Sequence, residues 1–311
     1  MSEERIIVGN GTEFPLAGIL TLPDDAEGPV PAVVMVHGSG PSDMDERIQK
    51  LTPFKDLAEG LAEYGIASVR YDKRTHIFAR KMVRTKPTVK EETIVDAIRA
   101  TELAKNDPRI DAERVYIIGH SMGGMLAPRI DADGGDYAGI IMMAGTPFRL
   151  EDIVLRQLKE AGESKSLTGF LSAYEYKKYQ KRFQGLYSMT KDEASGRRFA
   201  GNLTLYYFQE MGRKTAVDYL LETDKPALIM QGGKDFQVLK DVDFEGFKEQ
   251  LAGRPDTYYK FYPDLNHLFV PGIYDSILKA QKEYNVERHI GDEVFRDIAE
   301  FINGADDPDE E

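Results

Sequence analysis

The sequence predicts an α/β protein in which a mostly parallel sheet carries helices on both faces. Apolar, β-branched segments of strand length alternate with segments of helical periodicity along most of the 311 residues. The alternation is interrupted between residues 147 and 222, where helical periodicity continues without a strand pattern. These two observations predict one large core with a helical insertion, and 41% hydrophobic residues are enough for such a core.

Eight segments are predicted as strands, and the last six of them as buried strands. In chain order they are RIIVG, LAGILTL, AVVMVH, IASVRY, RVYIIG, AGIIMMAG, ALIMQG and TYYKFY. Helices are predicted at 53–64 and at 91–106, where Ile94, Val95, Ile98 and Leu103 approximate an apolar stripe. We assign residues 1–146 and 223–311 to the α/β core and residues 147–222 to an inserted helical cap.

Composition excludes several classes of function. The chain has no cysteine, which excludes a disulfide, a thiolate metal site and a cysteine nucleophile. A net charge of −13 argues against nucleic acid and anionic membranes as partners. No apolar run approaches the roughly 18 residues of a membrane helix, and the N-terminus MSEERIIVGN does not read as a signal peptide. We expect a cytoplasmic protein without a metal or cofactor, and the oligomeric state stays open.

The segment YIIGHSMGGM places Ser121 between a predicted strand and a predicted helix. A G-x-S-x-G nucleophile elbow requires this context, because a sharp turn there exposes the serine at the end of the sheet. Glycine at positions 119 and 123 fits such a turn, since side chains would collide with neighbouring backbone. The alternative is a glycine turn with an incidental serine, so the partners of Ser121 decide between the two interpretations.

A serine nucleophile needs a histidine base, and the chain has five histidines. His267 is the best placed, because it follows TYYKFY in the loop PDLNHLF, at the predicted carboxyl end of the sheet. The other four are His37, early in the chain, His76, after the basic YDKRT, His120, beside the serine, and His289, in a charged C-terminal helix.

The acid that orients the histidine should lie between the serine and the histidine in chain order, in another loop after a strand. Asp235 meets both conditions, since it comes just after the strand ALIMQG, in the motif GGKD. Asp241 and Asp243, in a predicted helix start, are the alternatives.

The motif HGSGP follows the strand AVVMV and supplies a glycine-rich loop. Backbone N–H groups of such a loop can bind the oxyanion of a tetrahedral intermediate, and we choose those of Ser39 and Met122. A phosphate-binding turn and an ordinary loop are the alternatives. The position of the loop, after an early strand and before the elbow, favours the oxyanion interpretation.

The motifs HGSGP, YDKRT, GHSMGG, GGKD and LNH occur in the order and spacing typical of serine esterases of the α/β-hydrolase superfamily. The chain most resembles bacterial carboxylesterases of the dienelactone-hydrolase-like and prolyl-oligopeptidase-like groups, over residues 19–144 and 227–302. The resemblance implies an α/β-hydrolase fold with a mostly parallel eight-stranded sheet and an inserted helical cap. It also implies a triad of Ser121, Asp235 and His267, with Ser39 and Met122 at the oxyanion hole. Dienelactone hydrolases proper use cysteine, and dehalogenases and epoxide hydrolases use aspartate where Ser121 stands, so those activities are disfavoured.

The predicted function is hydrolysis of a carboxylic ester through an acyl-enzyme intermediate. Tyr206, Tyr207 and Phe208 of the cap are predicted to bound the acyl pocket, and the charged segment YEYKKYQKRF argues against a lipid-facing lid. We therefore expect short-chain or small aromatic esters as substrates, with chains of ten or more carbons hydrolysed poorly. A peptidase or thioesterase with the same triad is the alternative, followed by a non-catalytic binding protein on the same fold.

Two other patterns are interpreted as structural. Asp72 and Arg74, in RYDKRT, are expected to form a buried ion pair that braces the strand end. The segment DADGGD, residues 131–136, mimics the start of a calcium loop but has Met142 where the loop requires glutamate. We interpret it as a solvated loop.

Overall fold

A computed structural model describes residues 1–24, 26–82, 85–200, 203–274 and 276–304. Within these ranges, eight strands form one sheet in the order β1-β2-β4-β3-β5-β6-β7-β8. The strands are β1 (Ser2–Val8), β2 (Leu16–Leu22), β3 (Val30–Val36), β4 (Ala67–Tyr71), β5 (Ile110–His120), β6 (Ile140–Met143), β7 (Ala227–Gly232) and β8 (Thr257–Tyr262). β2 pairs antiparallel with β1 and β4, and the other neighbours pair in parallel. The prediction of an eight-stranded, mostly parallel sheet is confirmed.

Helices cover both faces of the sheet, because parallel strands cannot be joined by a tight hairpin and need a crossover through a helix or a long loop. The helices of the core are α1 (Pro53–Glu63), α2 (Arg74–Ile77), α3 (Ala79–Met82), α4 (Val95–Lys105), α5 (Met122–Ile130), α11 (Glu245–Gln250), α12 (Ala280–Tyr284) and α13 (Asp292–Asn303). A wider helical turn, Lys90–Ile94, leads into α4, so the helix predicted at 91–106 forms with a change of pitch near its start.

The core lies on the two faces of the sheet as two apolar clusters. One contains Val34, Ile117 and Ile140 and packs against α4 and α5, and the other contains Met35, Ile118 and Ile141 and packs against α1 and α13. Alternate residues of β3, β5 and β6 thus point to opposite faces and are buried on both. This explains why these strands read as continuous apolar runs.

The segment between β6 and β7 is helical, and no strand is assigned within its described residues. It contains α6 (Leu150–Gly162), α7 (Leu167–Phe183), α8 (Lys191–Gly196), α9 (Leu205–Met211) and α10 (Ala216–Leu220). We keep the name cap for residues 147–222. Its assignment as a separate domain stays a prediction.

The prediction that the last six strands are buried is wrong for β8. Tyr258 and Phe261 of this strand are 50% and 38% exposed, because β8 lies at the edge of the sheet and pairs with β7 alone. An apolar run at an edge strand resembles a central strand in sequence, since burial depends on which elements pack beside it.

Candidate active site

Ser121 lies at the tight turn between β5 and α5 and has backbone angles of φ 53° and ψ −117°. A non-glycine residue rarely adopts a positive φ, and such strain persists only where the surroundings hold it. The turn is held by a hydrogen bond from Ser121 N to Met143 O on β6, 2.8 Å long. A Cβ atom on Gly123 would lie 2.1 Å from Val36 O, so the helix approaches β3 as closely as only glycine permits. The local geometry is that of a nucleophile elbow.

His267 lies in the loop after β8 and faces Asp235, which lies in the loop after β7. Its Nδ1 is 2.7 Å from Asp235 Oδ2, and both side chains are buried. A carboxylate accepts, so Nδ1 donates, and the tautomer leaves His267 Nε2 free to accept a proton. The two loops also pack closely, because a Cβ on Gly232 would lie 2.5 Å from Leu265 O.

The Asp235 carboxylate is fixed by groups of its own loop. Its Oδ1 accepts from the backbone N–H groups of Gln237 and Val238, at 2.7 and 2.9 Å. Gln231 Nε2 lies 3.4 Å from Oδ2, the oxygen that also binds His267. These three donors therefore hold the carboxylate toward the imidazole, as the orienting acid of a triad requires.

The elbow and the histidine loop touch through the residue before the serine. His120 Nε2 donates to the backbone carbonyl of His267 over 2.9 Å, and the two imidazole centroids are 4.9 Å apart. Ser121 Oγ makes no hydrogen bond to His267 in the part of the chain that the structure describes. Nucleophile and base are often farther apart without substrate than in the reacting complex, so this conformation is compatible with the predicted triad.

A buried ion pair lies behind the elbow. Glu46 Oε2 and His120 Nδ1 are 2.9 Å apart, in an arrangement without hydrogen-bond angles. Burial opposes the imidazolium, but Glu46, the His267 carbonyl and Asp235 together outweigh it, so the pKa of His120 is raised above its usual value. Burial raises the pKa of Glu46, but His120, His37 and the Gly38 N–H together outweigh burial, so this pKa is lowered. The other oxygen of Glu46 accepts from Gly38 N over 2.7 Å.

The predicted oxyanion loop, HGSGP, runs directly past Ser121, since a Cβ on Gly38 would lie 3.2 Å from Ser121 Cβ. Gly38 N–H is occupied by Glu46, and the next N–H along the loop belongs to Ser39, which is exposed. Met122 is the first residue of α5, where N–H groups have no partner within the helix. Neither Ser39 N nor Met122 N donates a hydrogen bond to any of the described residues. Both groups are therefore available to an oxyanion.

Lys73 forms a second buried ion pair beside this loop. Its Nζ donates to Gly38 O over 2.7 Å and lies 3.0 Å from Glu92 Oε1. Glu92 Oε2 accepts from the hydroxyl of Tyr207 on α9, at 2.8 Å. No local sequence pattern predicts a role for Glu46 or Glu92. Only the motif YDKRT, at the end of β4, could have drawn attention to Lys73.

A cavity of about 340 Å³ opens beside the predicted oxyanion donors. Its walls are mostly apolar, with Glu92 and the hydroxyls of Ser39, Thr75 and Tyr207 as polar groups. The residues from the core include Ser39, Thr75, Met82, Glu92 and Met122, and those from the cap are Leu150, Val154, Phe199, Leu203, Tyr207 and Phe208. Cap and core therefore build this cavity together.

The structure separates the three aromatic residues predicted to bound the acyl pocket. Tyr207 and Phe208 line the cavity, whereas Tyr206 does not and instead packs under Lys191, whose Nζ lies 5.1 Å from the ring centroid. The reason is helical geometry, because consecutive residues of α9 point about 100° apart and three in a row cannot share one wall. The prediction for Tyr206 is corrected accordingly.

Two further interpretations differ from the structure. Arg74 is buried as expected, but its partner is Asp96 on α4, while Asp72 accepts a hydrogen bond from Met44 N. Asp243, an alternative for the triad acid, is fully buried and binds Arg156 of the cap and Thr146. Asp241, the other alternative, has an 85% exposed side chain. Neither aspartate contacts His267 in the structure.

The remaining histidines are held by other contacts. His37 Nε2 is 3.0 Å from Asp43 O, and burial lowers the pKa of His37 to about 4. His289 pairs with Asp56 at 3.0 Å, and His76 is exposed.

No helix among the described residues is both long and apolar enough to cross a membrane.

Comparisons with known proteins identify the family of this chain. Residues 33–272 match the model of the alpha/beta hydrolase family. The chain is 36% identical over 298 residues to esterase EstD of Thermotoga maritima. The aligned region covers 94% of this chain and 67% of EstD. Among solved structures, Est1E of Butyrivibrio proteoclasticus superposes with a TM-score of 0.58 at 16% identity, over 96% of this chain and 99% of Est1E. An esterase from Pyrococcus furiosus has a TM-score of 0.57 at 14% identity, over 97% and 90% of the two chains.

The chain thus belongs to the alpha/beta hydrolase family. Within that family it is a carboxylic ester hydrolase of the serine esterase type, similar in sequence to EstD. The two superposed structures are below 25% identity, and they support the fold.

Proposed function

We propose that this esterase cleaves short-chain or small aromatic carboxylic esters with a triad of Ser121, His267 and Asp235. The observation that carries the proposal is the 2.7 Å contact between His267 Nδ1 and Asp235 Oδ2. The loop that holds His267 is also joined to the elbow, by the hydrogen bond from His120 to the His267 carbonyl. His267 Nε2 takes the proton of Ser121 as Oγ attacks the ester carbonyl, and the oxyanion binds the N–H groups of Ser39 and Met122. His267 then protonates the leaving alcohol, and water releases the acid.

The size of the cavity supports the proposed substrate class. A volume of about 340 Å³ equals that of roughly ten water-sized groups, so the cavity has room for a short aliphatic or a small aromatic acyl group, while the preference for short chains rests on the charged cap. Its apolar walls favour an uncharged acyl group. Est1E has also been solved with ferulic acid bound, so a feruloyl ester is a useful member of a substrate panel.

Labelling and substrate profiling test this proposal. A fluorophosphonate should modify the protein once, at Ser121, because only a base-activated serine attacks such reagents quickly. The panel compares kcat/KM for acyl esters from acetyl to dodecanoyl, a feruloyl ester, a matched thioester and a peptide. A preference for the peptide or thioester would assign the chain to one of those alternatives, and labelling at another serine would contradict the triad.

We also propose that the protein acts in the cytoplasm on small-molecule esters, with neither nucleic acid nor a membrane as a partner. The net charge of −13 supports this, because both polyanions would be repelled. Fractionation of cells that express the full chain tests the location.

A further inference from the structure

The predicted oxyanion donor Ser39 N–H belongs to the same peptide unit as the Gly38 carbonyl. In a trans peptide the C=O and N–H bonds point in opposite directions, so a group that binds the carbonyl also sets where the N–H points. Lys73 Nζ binds this carbonyl over 2.7 Å. Glu46 binds Gly38 N on the preceding peptide, so the loop is held on both sides of Gly38.

Lys73 is itself held by a chain of buried groups that ends in the cap. Glu92 Oε1 lies 3.0 Å from Lys73 Nζ, and Tyr207 OH donates to Glu92 Oε2 over 2.8 Å. The three residues are between 2% and 5% exposed. The Tyr207 hydroxyl also lies 3.5 Å from the sulfur of Met122, whose N–H is the second predicted oxyanion donor.

We propose that Lys73, Glu92 and Tyr207 form a relay that orients the Gly38–Ser39 peptide for the oxyanion and links that orientation to the position of helix α9. The proposal rests on the oxyanion hole of the proposed function. In the relay all three act as positioning residues, since they work through the peptide, and Glu92 and Tyr207 in addition line the cavity.

Two physical effects make the relay useful. A buried ammonium on the Gly38 carbonyl polarises the peptide, which strengthens Ser39 N–H as a donor to a developing negative charge. Glu92 keeps the ammonium charged and in place, because a buried ammonium without a carboxylate partner would strongly destabilise the fold. The Tyr207 hydroxyl completes the chain only when α9 is packed on the core, so a displaced cap would leave the oxyanion hole less well ordered.

Lys73→Met tests the relay, with Arg74→Met as the matched control. Arg74 is the next residue, is similarly buried and pairs with Asp96 on the same helical segment that carries Glu92, but it does not contact the oxyanion loop. Lys73→Met should lower kcat about 10- to 100-fold with KM within about twofold, since an oxyanion donor contributes 10²- to 10³-fold and the relay only orients it. Arg74→Met should leave kcat within about twofold, although both variants lose stability.

Two isosteric variants keep the test decisive where Lys73→Met does not fold. Glu92→Gln and Tyr207→Phe should each lower kcat several-fold without a matching change in KM. Tyr207→Phe should cause no further loss in the Lys73→Met background, because the relay is already interrupted there. Affinity for an alkyl boronic acid, whose adduct is tetrahedral, should fall in parallel with kcat, while affinity for the product carboxylate stays constant.

The outcomes separate this proposal from the function on which it rests. If fluorophosphonate labels Ser121 in the wild type but Lys73→Met reduces kcat no more than Arg74→Met, the relay is refuted and the triad stands. Additive effects of Tyr207→Phe and Lys73→Met would also refute it. If Ser121 is not labelled in the wild type, the site itself is wrong.

Discussion

Buried charges surround Ser121, and each has a partner from a distant part of the chain. Glu46 pairs with His120, Lys73 with Glu92, and Asp235 with His267. Burying a single charge is strongly unfavourable, so such groups occur in pairs whose members fix each other's position. At this scale the site is a set of mutually oriented side chains, and the predictions concern the loss of one partner.

Asp235→Asn is expected to lower kcat about 10⁴-fold, because the amide favours the wrong imidazole tautomer of His267. Asp241→Asn is the matched control, since this neighbouring side chain is 85% exposed and lies outside the site. Its kcat should equal that of the wild type. Steady-state kinetics with one good ester measure both variants, and a crippled Asp241→Asn with an active Asp235→Asn would reassign the acid.

Asp243→Asn is expected to destabilise the fold and not to act on the triad. Asp243 binds Arg156, Thr146 and the backbone of Leu239 while fully buried, and it does not contact His267. Loss of the charge leaves Arg156 without its counter-ion, which should lower the free energy of unfolding by about 3 kcal/mol. Urea unfolding at constant m-value measures this, and unchanged stability would show that Arg156 turns to solvent.

At the scale of elements, the sequence predicts what local periodicity determines. The strands, helices α1 and α4, the elbow and the two loops that carry Asp235 and His267 follow from patterns within a few residues. Glu46, Lys73 and Glu92 could not be predicted, because their roles arise from contacts between segments up to 115 residues apart. The edge position of β8 and the orientation of Tyr206 depend in the same way on packing and not on local sequence.

Phe208→Ala is expected to shift the substrate preference toward longer acyl chains, since Phe208 lines the cavity and its removal enlarges it. The change in kcat/KM between neighbouring chain lengths should correspond to about 1–3 kcal/mol. Tyr206→Ala is the control on the same helix and should leave the profile unchanged, as Tyr206 packs against Lys191. An ester series with both variants checks this, and an altered profile only for Tyr206→Ala would place the pocket on the other face of α9.

At the scale of the whole molecule, two buried histidines couple the fold to pH in opposite directions. Burial lowers the pKa of His37 to about 4, so its neutral form stabilises the fold above the unfolded value of 6.5 and this contribution falls as the pH drops toward 4. The pKa of His120 is raised, so the stabilisation that its charged form contributes to the fold is complete below pH 6.5. This stabilisation is lost as the pH rises through the pKa of His120 in the folded protein. The stability of the fold therefore decreases toward acid pH through His37 and toward alkaline pH through His120.

His37→Gln is expected to flatten the acid side of the stability profile. As the pH falls from 6.5 to 4, the wild type loses stability because its buried imidazole must be protonated, whereas the variant has no such group. The free energy of unfolding of the variant relative to the wild type should therefore rise by about 1.4 kcal/mol for each unit by which the pH falls. Above pH 7 the difference should be constant. Denaturant unfolding across pH 4–8 measures it, and a pH-independent difference would mean that His37 is solvated.

The positive φ of Ser121 also has a consequence for how such an enzyme evolves. A backbone angle of 53° is strained for serine and relaxed for glycine, so the residue proposed as the nucleophile also makes the protein less stable than it could be. The free energy of unfolding of Ser121→Gly should therefore exceed that of Ser121→Ala by about 1 kcal/mol, and Ser121→Gly should unfold at a higher temperature. Both variants should be inactive. Under the proposed triad, selection for stability alone would remove the serine, and selection for turnover would retain it.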